Sequence, residues 1–198
     1  MHRQVIILRV TVAAAVLAVA SGVWAADKMA GTGPAKPAMA KGGGDAAMIA
    51  SAEKAAPTAV SGKAAIMAMD AKGGMHMLRK GTNGFTCIPD DPQTPGPDPM
   101  CADANAMEWI QAMFAKKPPP QKTGFMYMLA GGTDASNTDP YAGKPTGKNH
   151  WIKTGPHVMI VGDKSLLAGY PASPDPNTAA PYVMWAGTPY AHLMVPVK

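Results

Sequence analysis

The chain has 198 residues, 47% hydrophobic but only 6% aromatic, with 16 Met, 20 Pro, 21 Gly, two Cys and a formal net charge of +5. Most of that charge lies early: from Ala64 onward there are 11 Lys and Arg against 10 Asp and Glu. A near-neutral body without Lys/Arg runs interleaved with aromatics lacks the electrostatic footprint of a nucleic-acid binder, so no nucleic acid is expected as a partner.

Residues 1–25 read as a secretory signal peptide. His2, Arg3 and Arg9 supply a basic start, Val10–Val19 an apolar run, and Val23-Trp24-Ala25 a small-residue cleavage site. The run is shorter than the roughly 20 apolar residues a spanning helix needs, so no transmembrane span is expected in the mature protein. An Ala/Gly/Lys/Pro-rich composition follows over residues 26–62, with almost no branched or aromatic side chains to offset the entropy of ordering. That segment reads as a flexible tether, although Ala46–Ala56 could form a short helix, marginal in isolation. Residues 63–198 then suffice for a single globular domain, placed by the signal in the periplasm or outside the cell.

Within the domain, Ala64–Met69 and Met75–Arg79 flank the turn Asp70-Ala71-Lys72-Gly73-Gly74 and predict a hairpin. Cys87 and Cys101 bracket the proline-rich stretch CIPDDPQTPGPDPMC, and in an exported chain such a pair reads as a disulfide. One main helix is expected near residues 106–117, opened by an Asn105–Glu108 capping box and stopped by Pro118-Pro119-Pro120. Met107, Ile110, Met113 and Phe114 share one face of it. Gly124–Ala130 and His157–Gly162 are apolar strands separated by a long polar loop, and Ser165–Gly169 is a candidate short helix. Tyr182–Trp185 and Tyr190–Val197 form a C-terminal hairpin around Ala186-Gly187-Thr188-Pro189. The fold class expected is α+β with a mainly antiparallel sheet, a small barrel or sandwich being the alternative.

The segments GTNGFTCIPD, DPMC, GFMYMLAGG, SNTDPYA, GPHVMIVG and TPYAHLMVPV resemble a family of uncharacterised exported bacterial proteins. The resemblance covers about Gly81–Val197 and implies one exported domain; it implies no particular activity.

The sharpest chemical pattern is His-x-Met in two apolar strands: His157-Val158-Met159 and His192-Leu193-Met194. Residues two apart in a strand share a face, so each strand sets an imidazole beside a thioether. Were the two strands neighbours, two His and two Met could converge on a copper ion, since imidazole suits copper and thioether selects Cu(I). The competing reading is a Met-filled core with histidines bonded to backbone. A second candidate is the loop 131–151, where Asp134, Ser136, Asn137 and Asp139 offer oxygens and Tyr141 and Trp151 offer stacking faces for a small molecule or protein partner. Those polar residues also make ordinary Asx-turns. A hydrolase built on Ser136 lacks a G-x-S-x-G elbow, so no catalytic residue is assigned and binding is favoured over catalysis.

Overall fold

The computed structural model describes residues 42–70 and 74–197. The signal peptide, the tether as far as residue 41 and the tip of the first turn, residues 71–73, lie outside the described residues. The order of elements is α1 (Gly42–Ala52), α2 (Thr58–Ser61), β1 (Ala65–Met69), β2 (Met75–Arg79), β3 (Thr86–Ile88), β4 (Met100–Ala102), α3 (Ala104–Phe114), β5 (Gly124–Met128), β6 (Ala135–Ser136), β7 (Trp151–Ile152), β8 (His157–Val161), β9 (Tyr182–Met184) and β10 (His192–Pro196). Short 3₁₀ turns follow α1 and β8, at Glu53–Ala55 and Lys164–Leu167.

The fold is α+β. Eight strands form one open sheet in the order β2-β1-β3-β4-β5-β8-β10-β9, and β6 and β7 make a separate two-stranded ladder. Every pair is antiparallel except β1–β3. With β2 and β9 at its ends, the sheet is not a barrel.

Side-chain alternation across β4 and β5 divides the core between the two faces. Cys101 stands opposite Tyr127 and belongs to one apolar cluster; Ala102 stands opposite Met126 and belongs to the other. The first cluster collects Ala52, Ala55, Ala64, Ile66 and both cysteines beneath the N-terminal helices. The second packs α3 through Ala106, Trp109 and Ile110 against Met126, Val161 and Met194.

The tether expectation therefore fails from residue 42. Counting branched and aromatic residues missed that a face of alanines can be buried if a sheet comes close enough. Ala52 and Ala55 are fully buried, and the segment is pinned by polar contacts as well. Arg79 pairs with Glu53 and donates to the carbonyls of Ser61 and Ala64. Leu129 N donates to Ala55 O, and Asn83 Nδ2 donates to Val60 O. The domain thus starts some 20 residues earlier than the composition suggested, at Gly42 instead of 63.

Cys87 and Cys101 form the expected disulfide, but not in a loop. They are directly opposed residues of β3 and β4, both fully buried. Closing the 14-residue separation contributes about 3 kcal/mol through the unfolded chain. The prolines between them are organised by Asx contacts: Asp91 N donates to Asp98, Asp98 N to Asp90 and Gln93 N to Asp91.

Helix α3 starts earlier than the Asn105–Glu108 box implied. Asp103 is its N-cap, accepting from Ala106 N at 2.8 Å through one oxygen and from Phe125 N through the other, so the cap also ties the helix to β5. Glu108 pairs instead with Lys122, and Asn105 donates to Thr123 O. Helix and strand touch at Gly124, where a Cβ would lie 2.4 Å from Ala106 N, so only glycine fits. Lys116, at φ 55, ends the helix before the prolines.

Candidate functional site

The register of β5, β8, β10 and β9 sets a row of side chains across the α3 face of the sheet. Met126 pairs with Met159, Met159 with Met194, and Met194 with Tyr182. One rung to one side, His157 pairs with Met128 and Pro196. One rung to the other side, His192 pairs with Met184. The strands carrying the two His-x-Met pairs are neighbours, as the metal reading required. Their antiparallel sense, however, brings the two thioethers together at the centre and sets the imidazoles at opposite ends. The histidines are four residue steps apart along the strand, roughly 13 Å of backbone. Convergence of all four donors on one point is thus replaced by a thioether row flanked by imidazoles.

Between this face and α3 lies a cavity of about 170 Å³. Seven methionines line it, the row plus Met100, Met113, Met128 and Met184, together with Trp109, Trp185, His157 and His192. Phe114, which is 67% exposed, also lines it.

The two histidines are held by the same device. His157 Nδ1 lies 2.6 Å from Gly155 O, and His192 Nδ1 lies 3.0 Å from Tyr190 O. A carbonyl can only accept, so each Nδ1 carries the proton and each Nε2 is left with its lone pair. Fixing the imidazole through its second nitrogen is the usual way a metal-binding histidine is oriented. Burial pushes the pKa of both below the ordinary value. For His192 it falls to about 4, driven first by complete burial, opposed by the Tyr190 carbonyl and lowered further by His157.

His192 is also caged by aromatics. Trp109 and Trp185 lie in parallel planes, and the imidazole meets both edge-on at 5.5 and 4.9 Å between centroids. Its Nε2 is buried without a hydrogen-bond partner, one of three such side-chain atoms among the described residues. Leaving a buried acceptor unpaired costs about 1–3 kcal/mol. Gly132, between β5 and β6, packs against His157 of β8: a Cβ there would come within 2.8 Å of the imidazole Cε1.

The loop 131–151 is consumed by its own folding. Ser136 donates from Oγ to Asn149 O and accepts from Thr138 N and Asp139 N, so it anchors the loop and no histidine nitrogen is its partner. Asn137 donates to Ser173 O and Pro174 O. Asp139 caps Tyr141 N, and Tyr141 donates its hydroxyl to Met113 O while its ring packs on Tyr190. Trp151 pairs with Ser136 in the β6–β7 ladder, and the Asp134 carbonyl receives Thr133 Oγ1. The loop reaches the cavity indirectly: Trp185 donates its indole N–H to Ser136 O and its backbone N–H to Asn137 O. Ser136 and Asn137 therefore hold one of the two tryptophans that cage His192.

Of the cavity-lining residues, the sequence pattern singled out His157, Met159, His192 and Met194 but not Trp109, Trp185, Met126 and Met128. The i, i+2 spacing of Met126 and Met128 in GFMYM carried the same signal as the two His-x-Met pairs. Among the described residues there is no group of three or more His, Cys, Asp or Glu that could hold a metal ion. No helix among them is long and apolar enough to cross a membrane. No protein-family model matches the chain, and no curated protein or solved structure matches it.

Proposed function

We propose that the chain is an exported Cu(I)-binding protein, and that the ion is held in the cavity beneath α3 by the thioethers of Met159 and Met194 with an imidazole Nε2. His192 is the favoured imidazole, with His157 at the other end of the same row. The observation that carries the reading is the buried, unpartnered Nε2 of His192 at the wall of a cavity lined by seven thioethers. Neutral sulfur and nitrogen donors in an apolar shell favour a soft monovalent ion over a hard divalent one. Methionine side chains turn about three torsions, so the row can re-pack around an ion without moving the sheet. Trp109 and Trp185 make the walls beside His192 apolar. A disulfide persists in the oxidising compartments to which the signal segment points. The function is sequestration or carriage; no bond-making step is assigned.

The test is competition between the full, disulfide-bonded chain and a chromophoric Cu(I) chelator. Met159→Leu/Met194→Leu keeps volume and apolarity but removes both central sulfurs, and copper affinity at the cavity is expected to drop by orders of magnitude. His192→Ala is expected to do the same. Unchanged binding in both variants overturns the reading.

A second reading rests on the cavity itself. Dry apolar cavities of about 150 Å³ take benzene-sized molecules. An apolar ligand would raise the melting temperature of the wild type without copper and would still do so in Met159→Leu/Met194→Leu.

A further inference from the structure

A second group of methionines lies outside this cavity. In the β1–β2 hairpin Met67 is opposite Met77 and Met69 is opposite Met75. Alternation puts all four on one face, in two rungs separated by one. Ala68 and His76 form the rung between them and face the other way, so the histidine of Met75-His76-Met77 is not part of the group. Met69, Met75 and Met77 are 53%, 38% and 54% exposed.

This choice of residue is not explained by the fold. Exposed strand positions favour β-branched and aromatic residues, and β2 is an edge strand, where charged residues, especially Lys, usually discourage pairing with other chains. Four thioethers here add nothing to the core, which the hairpin feeds from its other face through Ile66 and Ala68. What the geometry offers is a sulfur rectangle. Cβ atoms lie about 5 Å apart across a rung and about 7 Å apart along a strand. From those corners, flexible stems can bring the sulfurs to one point.

We infer that the Met67, Met69, Met75 and Met77 face is a second, solvent-accessible site for a soft monovalent ion, Cu(I) or its analogue Ag(I). The inference goes beyond the cavity and does not rest on it: the ligands are sulfur alone, the site is open, and no residue is shared. An open all-thioether site exchanges its ion readily, whereas the cavity retains one, so the hairpin suits capture from outside.

The experiment titrates the full, disulfide-bonded chain with Ag(I) and with chelator-held Cu(I) while following the methyl resonances of ¹³C-methyl methionine. In the wild type, the signals of Met69, Met75 and Met77 are expected to shift together on Ag(I). Met69→Leu/Met75→Leu/Met77→Leu, conservative at exposed positions, is expected to lose one bound equivalent and keep the other. Met159→Leu/Met194→Leu is expected to leave the hairpin shifts intact, so failure of one site is distinguishable from failure of the other. Wild-type stoichiometry and affinity in the triple Leu variant overturn the inference. So does a variant that changes only the oligomeric state, which would make the face a contact between copies of the chain.

Discussion

Methionine is used in two opposite ways here. Beneath α3, Met126, Met159 and Met194 are buried in a row along the cavity, and two histidines flank it with their Nδ1 protons committed to backbone carbonyls. On the β1–β2 hairpin, Met69, Met75 and Met77 stand in solvent with no imidazole on their face. The same side chain is core in the first place and costs the second its usual edge protection. Burial alone therefore does not account for methionine use in this chain; the soft-ligand chemistry proposed above would account for both places.

The comparison breaks most sharply at copper. Removing the two central sulfurs by Met159→Leu/Met194→Leu is expected to lower cavity affinity by orders of magnitude. Volume-conserving swaps of this kind cost less than about 1.5 kcal/mol each, so chemical denaturation separates a ligand effect from an unfolded protein. A large loss of stability alongside the copper loss would return the row to a purely structural role.

Acid separates the two regions next, because only the cavity contains groups that burial keeps neutral. His192 titrates near 4 in the folded chain, against 6.5 for an ordinary histidine. The unfolded chain thus takes up a proton that the folded chain refuses between those values. Stability is complete above about pH 6.5 and declines toward pH 4, by an amount on the order of 3 kcal/mol for this group. His157, shifted in the same direction, adds to the decline. Denaturation midpoints measured across that range check this, and a His192→Gln variant is expected to show a shallower slope. An equal slope in the variant assigns the decline to other groups.

A further cut concerns the disulfide, which belongs to the opposite face of the sheet. Cys87→Ala/Cys101→Ala is expected to cost about 3 kcal/mol while leaving cavity copper in place in whatever fraction remains folded. The smallest effects fall on the hairpin. Met69→Leu/Met75→Leu/Met77→Leu is expected to change stability by less than about 0.5 kcal/mol per position. In the wild type, limited peroxide treatment should oxidise Met69 and Met77 before Met126 and Met194, as peptide mass spectrometry would read, because sulfoxide formation follows access. Ag(I) should protect the exposed pair.

The strands around the site were legible because their patterns are local. HVMIV and YAHLMVPV are apolar runs bounded by Gly and Pro, and the alternation within them placed Tyr190, His192 and Met194 on one face, where all three are buried. Pairing of β8 with β10 could be stated as a condition, but its antiparallel register, which decides that sulfurs meet and imidazoles do not, depends on contacts between segments some 30 residues apart. The helical N-terminal segment was missed for a related reason. Alanine carries no periodic signal, and the N-terminal helical segment is fixed far along the chain, α1 against Cys87 and Cys101 and the turn and α2 after it by Arg79. Trp109 and Trp185 were missed because their role lies in meeting each other across His192, through a loop whose polar residues looked like ligands and act as anchors.

The most direct measurement is X-ray absorption at the copper edge of Met69→Leu/Met75→Leu/Met77→Leu loaded with one equivalent of Cu(I), which isolates the cavity from the hairpin. The account predicts a first shell of sulfur with an imidazole nitrogen, the nitrogen lost in His192→Ala. A shell of oxygen and nitrogen without sulfur, or no copper retained, would contradict it.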